Sequence, residues 1–95
     1  MTATLFTRNE TTDFTAWKQL WDDSADFVAD HGALSSSLHR DVDNPNIIVV
    51  VHQFENADAA RAFAAMFDSD GFVEGPVKIG GVLPESVEVW ICEDI

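Results

Sequence analysis

The chain has 95 residues, 46% of them hydrophobic, with seven Phe, three Trp and no Tyr, the profile of one globular domain spanning residues 1–95. Seventeen acids against five bases give a net charge of −12; such a surface repels phosphate backbones and anionic lipid heads, which argues against nucleic-acid and membrane-surface roles. Cys92 is the single cysteine, so no intramolecular disulfide is available. No apolar run approaches the ~20 residues of a membrane span and no leader is visible, which makes the cytoplasm the expected location. The acids serve first as a solubilising surface, with adaptation to high salt as the lesser alternative.

In chain order, "ATLFTRNE" mixes β-branched and aromatic residues before a polar end and predicts a first strand. "TTDFTAWKQLWDDSADFVADHG" then changes period. Phe14, Trp17, Leu20, Trp21, Phe27 and Val28 recur at spacings of three and four, which predicts a helix from about 13 to about 30. Thr12 or Asp13 can cap its start, and Gly32 can stop it in the left-handed conformation. Residues 33–41 and 47–54 predict two strands around the turn "DNPN", where Pro45 and its Asp and Asn neighbours favour turn geometry. "ENADAARAFAAMFDSDG" predicts a second helix, capped by Asn56, with Ala59, Phe63, Met66 and Phe67 on its apolar face. The glycines and prolines of 70–84 predict a long loop, and "SVEVWICEDI" a last strand in which Val87, Val89 and Ile91 alternate with Glu88, Trp90 and Cys92.

The order β-α-β-β-α-β predicts an α+β fold of ferredoxin-like type: a four-stranded antiparallel sheet with both helices on one face. The strand Ile47 to Val51 is apolar on both faces, so the side without helices also needs cover. A second copy of the same sheet supplies it, which predicts a homodimer by sheet-to-sheet packing.

"DFTAWKQLWD" after a short first strand, "HRDVDNPNIIVVVHQFENADAARAF" around the hairpin and a short last strand together resemble the dimeric α+β barrel superfamily. The nearest members are small bacterial proteins similar to antibiotic-biosynthesis monooxygenases and cyclases. The resemblance covers residues 4 to 93 and implies a barrel formed by two sheets, with a ligand cavity in each subunit between sheet and helices. Haem-degrading members use an Asn on the first strand with a Trp and a His on or after the second helix. Asn9 can stand for the first, but residues 57–95 hold no His, so haem chemistry is disfavoured. Polyketide cyclases of this fold pair a His with a Tyr, and this chain has no Tyr. Quinone-forming members often work without a cofactor, by orienting a substrate that itself activates oxygen. Trp17, Trp21, Trp90 and His52 are residues of the type that such a mechanism uses.

His52 interrupts an apolar strand and has two readings: a polar residue closing a buried strand, which is the plainer one, or a base in an apolar pocket. His39 sits on the other arm of the hairpin and is the second proton-carrying candidate. With a turn centred near Asn44–Asn46 the two imidazoles would lie close, yet no HxH or HExxH spacing fixes a metal site. Arg8 and Asn9 are candidates to steady a ligand oxyanion, although Arg8 pairs more readily with an acid. Trp17, Trp21, Phe63 and Trp90 are candidate walls for a hydrophobic, aromatic or polyketide-like ligand, and equally candidate core. The functional expectation is a cofactor-independent enzyme or binder of such a ligand, possessing no metal; the alternative is a non-catalytic dimeric binding or structural protein.

Overall fold

Strand β1, Ala3–Glu10, alternates fully buried and half-buried residues along its whole length. Strand β3, Ile47–Phe54, shows the same alternation in opposite phase, as period-two side chains on a sheet require. The computed structural model describes residues 1–95 and places these two strands side by side at the centre, antiparallel, Leu5 facing His52 and Asn9 facing Ile48. Strand β2, Ser35–Arg40, lies outside β3, and β4, Glu88–Glu93, lies outside β1. The order β2-β3-β1-β4, antiparallel throughout, is the expected ferredoxin-like sheet.

The helices occupy one side of it. Helix α1, Phe14–Asp23, starts where the Asp13 carboxylate accepts the Ala16 N–H at 3.1 Å. The helix expected over 13–30 divides at Ser24. There the hydroxyl donates to the Leu20 carbonyl and the backbone N–H turns back to Trp21, so α2, Ala25–Asp30, sets off anew. A serine that hydrogen-bonds its own preceding turn bends a helix in this way. Gly32 closes α2 with φ +100°, as the sequence predicts. Helix α3, Ala57–Ala64, is capped by Asn56. The segment expected as loop carries short helical turns instead: a 3-10 turn at Ala65–Asp68, one α-turn at Asp70–Phe72 and a π-type turn at Val73–Val77. No helix is long and apolar enough to cross a membrane.

On the helix side the interior forms two clusters. Ala3, Leu5, Phe54, Ala60 and Phe63 make one, and Trp17, Ile48, Val50 and Val82 the other. Leu5, Ile48 and Phe54 are fully buried, each contributing about 1.5–3 kcal/mol of apolar burial. The second side of the sheet has no covering element. Phe6, Ile47, Val49, Val51 and Trp90 stand there, with Phe6 paired between Val51 and Trp90, and Trp90 is 49% exposed. At one corner of that side the Asp94 carboxylate accepts hydrogen bonds from Thr2, Thr4 and Gln53, tying β4 to the start of β1. Those three donors hold Asp94 below the usual carboxylate range.

Candidate functional site

A cavity of about 350 Å³ separates the two clusters, at the lower end of the range for small-molecule pockets. Its floor is the inner face of the sheet, where alternation along β1 and β3 turns Thr7, Asn9, Val50 and His52 toward the helices. The aromatic wall comes from α1: Trp17 and Trp21, one turn apart, stack with ring centroids 5.7 Å apart. Phe63 of α3 faces them, and Phe67 and Phe72 from the following turns complete the enclosure.

His52 is 3% exposed and sits among rings, its centroid 5.8 Å from Trp21, 5.0 Å from Phe63 and 6.2 Å from Phe54. Removal from water penalises the imidazolium, and burial lowers its pKa to about 4. The ring is therefore neutral at pH 7. Its Nδ1 lies 2.6 Å from the Ser36 hydroxyl on β2, and its Nε2 has no protein partner. Asn9 is 5% exposed, and its Oδ1 is sealed from solvent without a hydrogen-bond partner. An orphaned buried carbonyl costs about 1–3 kcal/mol, an expense the fold tolerates here at the cavity wall. With Oδ1 sealed, Nδ2 is the end of the amide that meets the cavity. The hydroxyls of Ser24 and Ser69, also at the wall, already donate to the carbonyls of Leu20 and Met66. No group of three His, Cys, Asp or Glu side chains converges to hold a metal ion.

Of the residues singled out in the sequence, the structure brings His52, Asn9, Trp17, Trp21 and Phe63 together around the cavity. Three others are placed elsewhere by the strand register. Arg8 is outward on β1, one residue out of phase with Asn9, and its guanidinium lies 3.9 Å from Glu88. Trp90 is outward on β4, opposite Phe6. His39 faces Val49 on the outer side and contacts Ser37, while Ser36 takes the position opposite His52. The expected proximity of the two imidazoles is thus corrected: pairing turns about Asn44, short of the register that would set them opposite. Near the same turn Arg40 lies over the Phe14 ring at 4.3 Å, while Asp41 accepts the Asp43 and Asn44 N–H groups.

Thr7, Ser36 and Phe72 were not singled out as site residues. Thr7 was legible from the alternation Ala3-Leu5-Thr7-Asn9 alone. Ser36 required the hairpin register, and Phe72 required the path of a segment read as loop.

A ferredoxin-like sheet with an apolar cavity between it and the helices on one side defines a small α+β protein with a pocket. Residues 3–74 match the family described as antibiotic biosynthesis monooxygenase. The chain belongs to that family. Among solved structures, it is similar to SnoaB, a cofactor-independent oxygenase from Streptomyces nogalater, at 19% identity and TM-score 0.74, over 99% of this chain and 93% of that one. A conserved protein from Methanosarcina mazei Go1 superposes with TM-score 0.73 at 13% identity, over 100% of this chain and 94% of that one. Rv0793 from Mycobacterium tuberculosis does so with TM-score 0.69 at 15% identity, over 100% and 96%. At these identities the likeness speaks for the fold. A search of curated proteins finds no match.

Proposed function

We propose that this protein is a homodimer that binds a hydrophobic aromatic or polyketide-like molecule in each subunit and oxidises or rearranges it without a cofactor. The observation that carries the reading is an open cavity between sheet and helices whose deep polar groups are few and unspent: the Asn9 amide, with Nδ2 toward the cavity, and His52 with a free Nε2. A flat ligand would slide between the stacked Trp17–Trp21 pair and the Phe63 side, its apolar faces covered. A ligand hydroxyl would meet His52 Nε2, which takes its proton, and the Asn9 amide, beyond the Thr7–Val50 pair along the strands, would donate to a second ligand oxygen. Family membership and the oxygenase named SnoaB support this chemistry as the first to test.

The dimer belongs to the same proposal. Phe6, Val49, Val51 and Trp90 form an apolar strip on the uncovered side of the sheet, and a second copy of that strip is its natural cover. Arg8, His39 and Trp90, being outward, would then contribute to the interface and not to the cavity.

A second reading, ligand sequestration without turnover, is favoured by the low basicity of His52. Titration of hydroxynaphthalenes and hydroxyanthrones, read by quenching of Trp17 and Trp21 emission and by oxygen uptake, separates the two. Binding with oxygen uptake that falls in Asn9→Ala and His52→Phe supports catalysis. Binding with neither oxygen uptake nor a new product on chromatography supports sequestration, and no binding of any aromatic ligand would sink both.

A further inference from the structure

We propose that Ser36 is the positioning residue of this site: it fixes the His52 ring with Nε2 bare toward the cavity, and it carries to solvent the proton that the ring releases on the other side. The inference rests on the reading of the cavity as a small-molecule site.

Three observations converge on Ser36. Its hydroxyl is 2.6 Å from His52 Nδ1. It lies directly opposite His52 on β2, an edge strand of the sheet. Ser36 is exposed while His52 is buried, so this one hydrogen bond crosses from the interior to the surface. Around the rest of the imidazole stand Trp21, Phe54 and Phe63, none of which can accept a proton.

Such a ring makes a poor ordinary base. Its walls penalise the imidazolium, and each pK unit of mismatch with a ligand hydroxyl is a tenfold loss in the proton-transferred form. A relay avoids the charged ring. The ligand O–H bond breaks as Nε2–H forms; the Nδ1–H bond breaks as a new O–H bond forms on Ser36; the proton that Ser36 already held passes to water. The imidazole ends neutral in its other tautomer, the negative charge rests on the ligand, and the positive charge leaves in solvent. The ring resets when Nε2 returns its proton to the bound ligand or product as Ser36 gives a proton to Nδ1 and takes one from water, so that the ring stays neutral. The step requires Nδ1–H to donate to Ser36 Oγ in the resting protein, with Nε2 the acceptor.

The test uses the full-length protein and two Ser36 variants. Long-range proton–nitrogen correlation NMR of the unliganded protein at pH 7 reads the His52 tautomer. The expected result is Nδ1–H in the wild type, a shift of about fivefold toward Nε2–H in Ser36→Ala, as loss of one hydrogen bond gives, and recovery in Ser36→Thr. Next, 2-naphthol, whose excited state is a strong acid, is bound and its emission recorded. Wild type and Ser36→Thr should emit as naphtholate, and Ser36→Ala several-fold less at equal binding. Nε2–H in the wild type, an unchanged tautomer in Ser36→Ala, or equal naphtholate emission in the two would each overturn the proposal. Failure of 2-naphthol to quench Trp17 and Trp21, with the tautomers as expected, would overturn the cavity reading and the proton outlet with it, leaving the ring's positioning in place.

Discussion

Acid should find His52 before it finds most of the fold. In the unfolded chain this imidazole titrates near 6.5, and in the folded protein near 4. Between those values the unfolded state binds a proton that the native state refuses, so stability falls as pH falls. The loss attributable to His52 is absent above pH 7, about 2 kcal/mol at pH 5 and about 3 kcal/mol at pH 4. For a chain of this size, with an m-value of about 1 kcal/mol/M in urea, the first figure is a midpoint shift of about 2 M. Asp94, held below the usual carboxylate range, loses its contribution only as pH falls below the unfolded carboxylate value toward its own, beneath the window in which His52 acts and with the same sign. The quantity to read is therefore the difference between wild type and His52→Leu at a fixed protein concentration, which also holds association constant. From pH 7.5 to pH 5 the wild type should lose about 2 kcal/mol more than the variant. Parallel urea midpoints for the two proteins across that range would refute the account of His52 as a neutral ring held in an apolar cavity.

Val51→Glu places a carboxylate in the middle of the uncovered strip and should convert a dimer to monomers in sedimentation velocity at micromolar concentration; a wild type already monomeric there would remove the interface. Gly81 has φ +70°, and a Cβ there would meet the Thr12 hydroxyl at 2.6 Å, so Gly81→Ala should cost about 1–3 kcal/mol in urea unfolding. Gly32 has φ +100° but nothing nearer than 3.9 Å to the same added atom, so Gly32→Ala should cost less, and the reverse ranking would contradict the packing of residues 80–82 against Thr11 and Thr12. Phe54→Ala removes a fully buried ring shared with Leu5 and Phe63 and should lower stability by about 3–5 kcal/mol.

What could be read from the chain follows from which interactions are local. Strands β1 and β3 were bounded correctly because their signals are local: β-branched and aromatic residues before a polar end in one, and the apolar run from Ile47 after the Pro45 turn in the other. The caps at Asp13 and Asn56 and the stop at Gly32 were legible for the same reason. Ser24 was not. Its break depends on a hydroxyl choosing the Leu20 carbonyl over solvent, and hydrophobic spacing ran on through it to Phe27 and Val28. The site itself was half legible. Asn9, Trp17, Trp21, His52 and Phe63 were recognisable as polar or aromatic residues on inward positions. Their misplaced companions each failed on phase: Arg8 lies one residue from Asn9 and so faces away, and Trp90 alternates with Ile91. The partner of His52 was set by a hairpin register, and a shift of a few residues along the turn exchanges Ser36 for His39. Residues 70–84 were read as loop because glycine and proline punctuate them, but Val73 to Val77 still curls into a helical turn and brings Pro76 to the cavity wall.

The knot of hydrogen bonds around Asp94 has a kinetic side. It joins side chains 92 and 90 positions apart in the chain, and β4 pairs along β1 throughout, so the last strand cannot dock until nearly the whole polypeptide has been closed into a loop. Closure entropy grows with loop length, and contacts of this separation slow folding. The hairpin of β2 and β3 carries no such handicap. Trp90 thus arrives late, and with it one edge of the strip proposed for the partner. Substitutions at Ile91 should accordingly speed unfolding and leave the refolding rate nearly unchanged in stopped-flow measurements, while substitutions at Val50 should slow refolding. On that order of events the two subunits would meet as finished sheets, with little opportunity to exchange strands before they do.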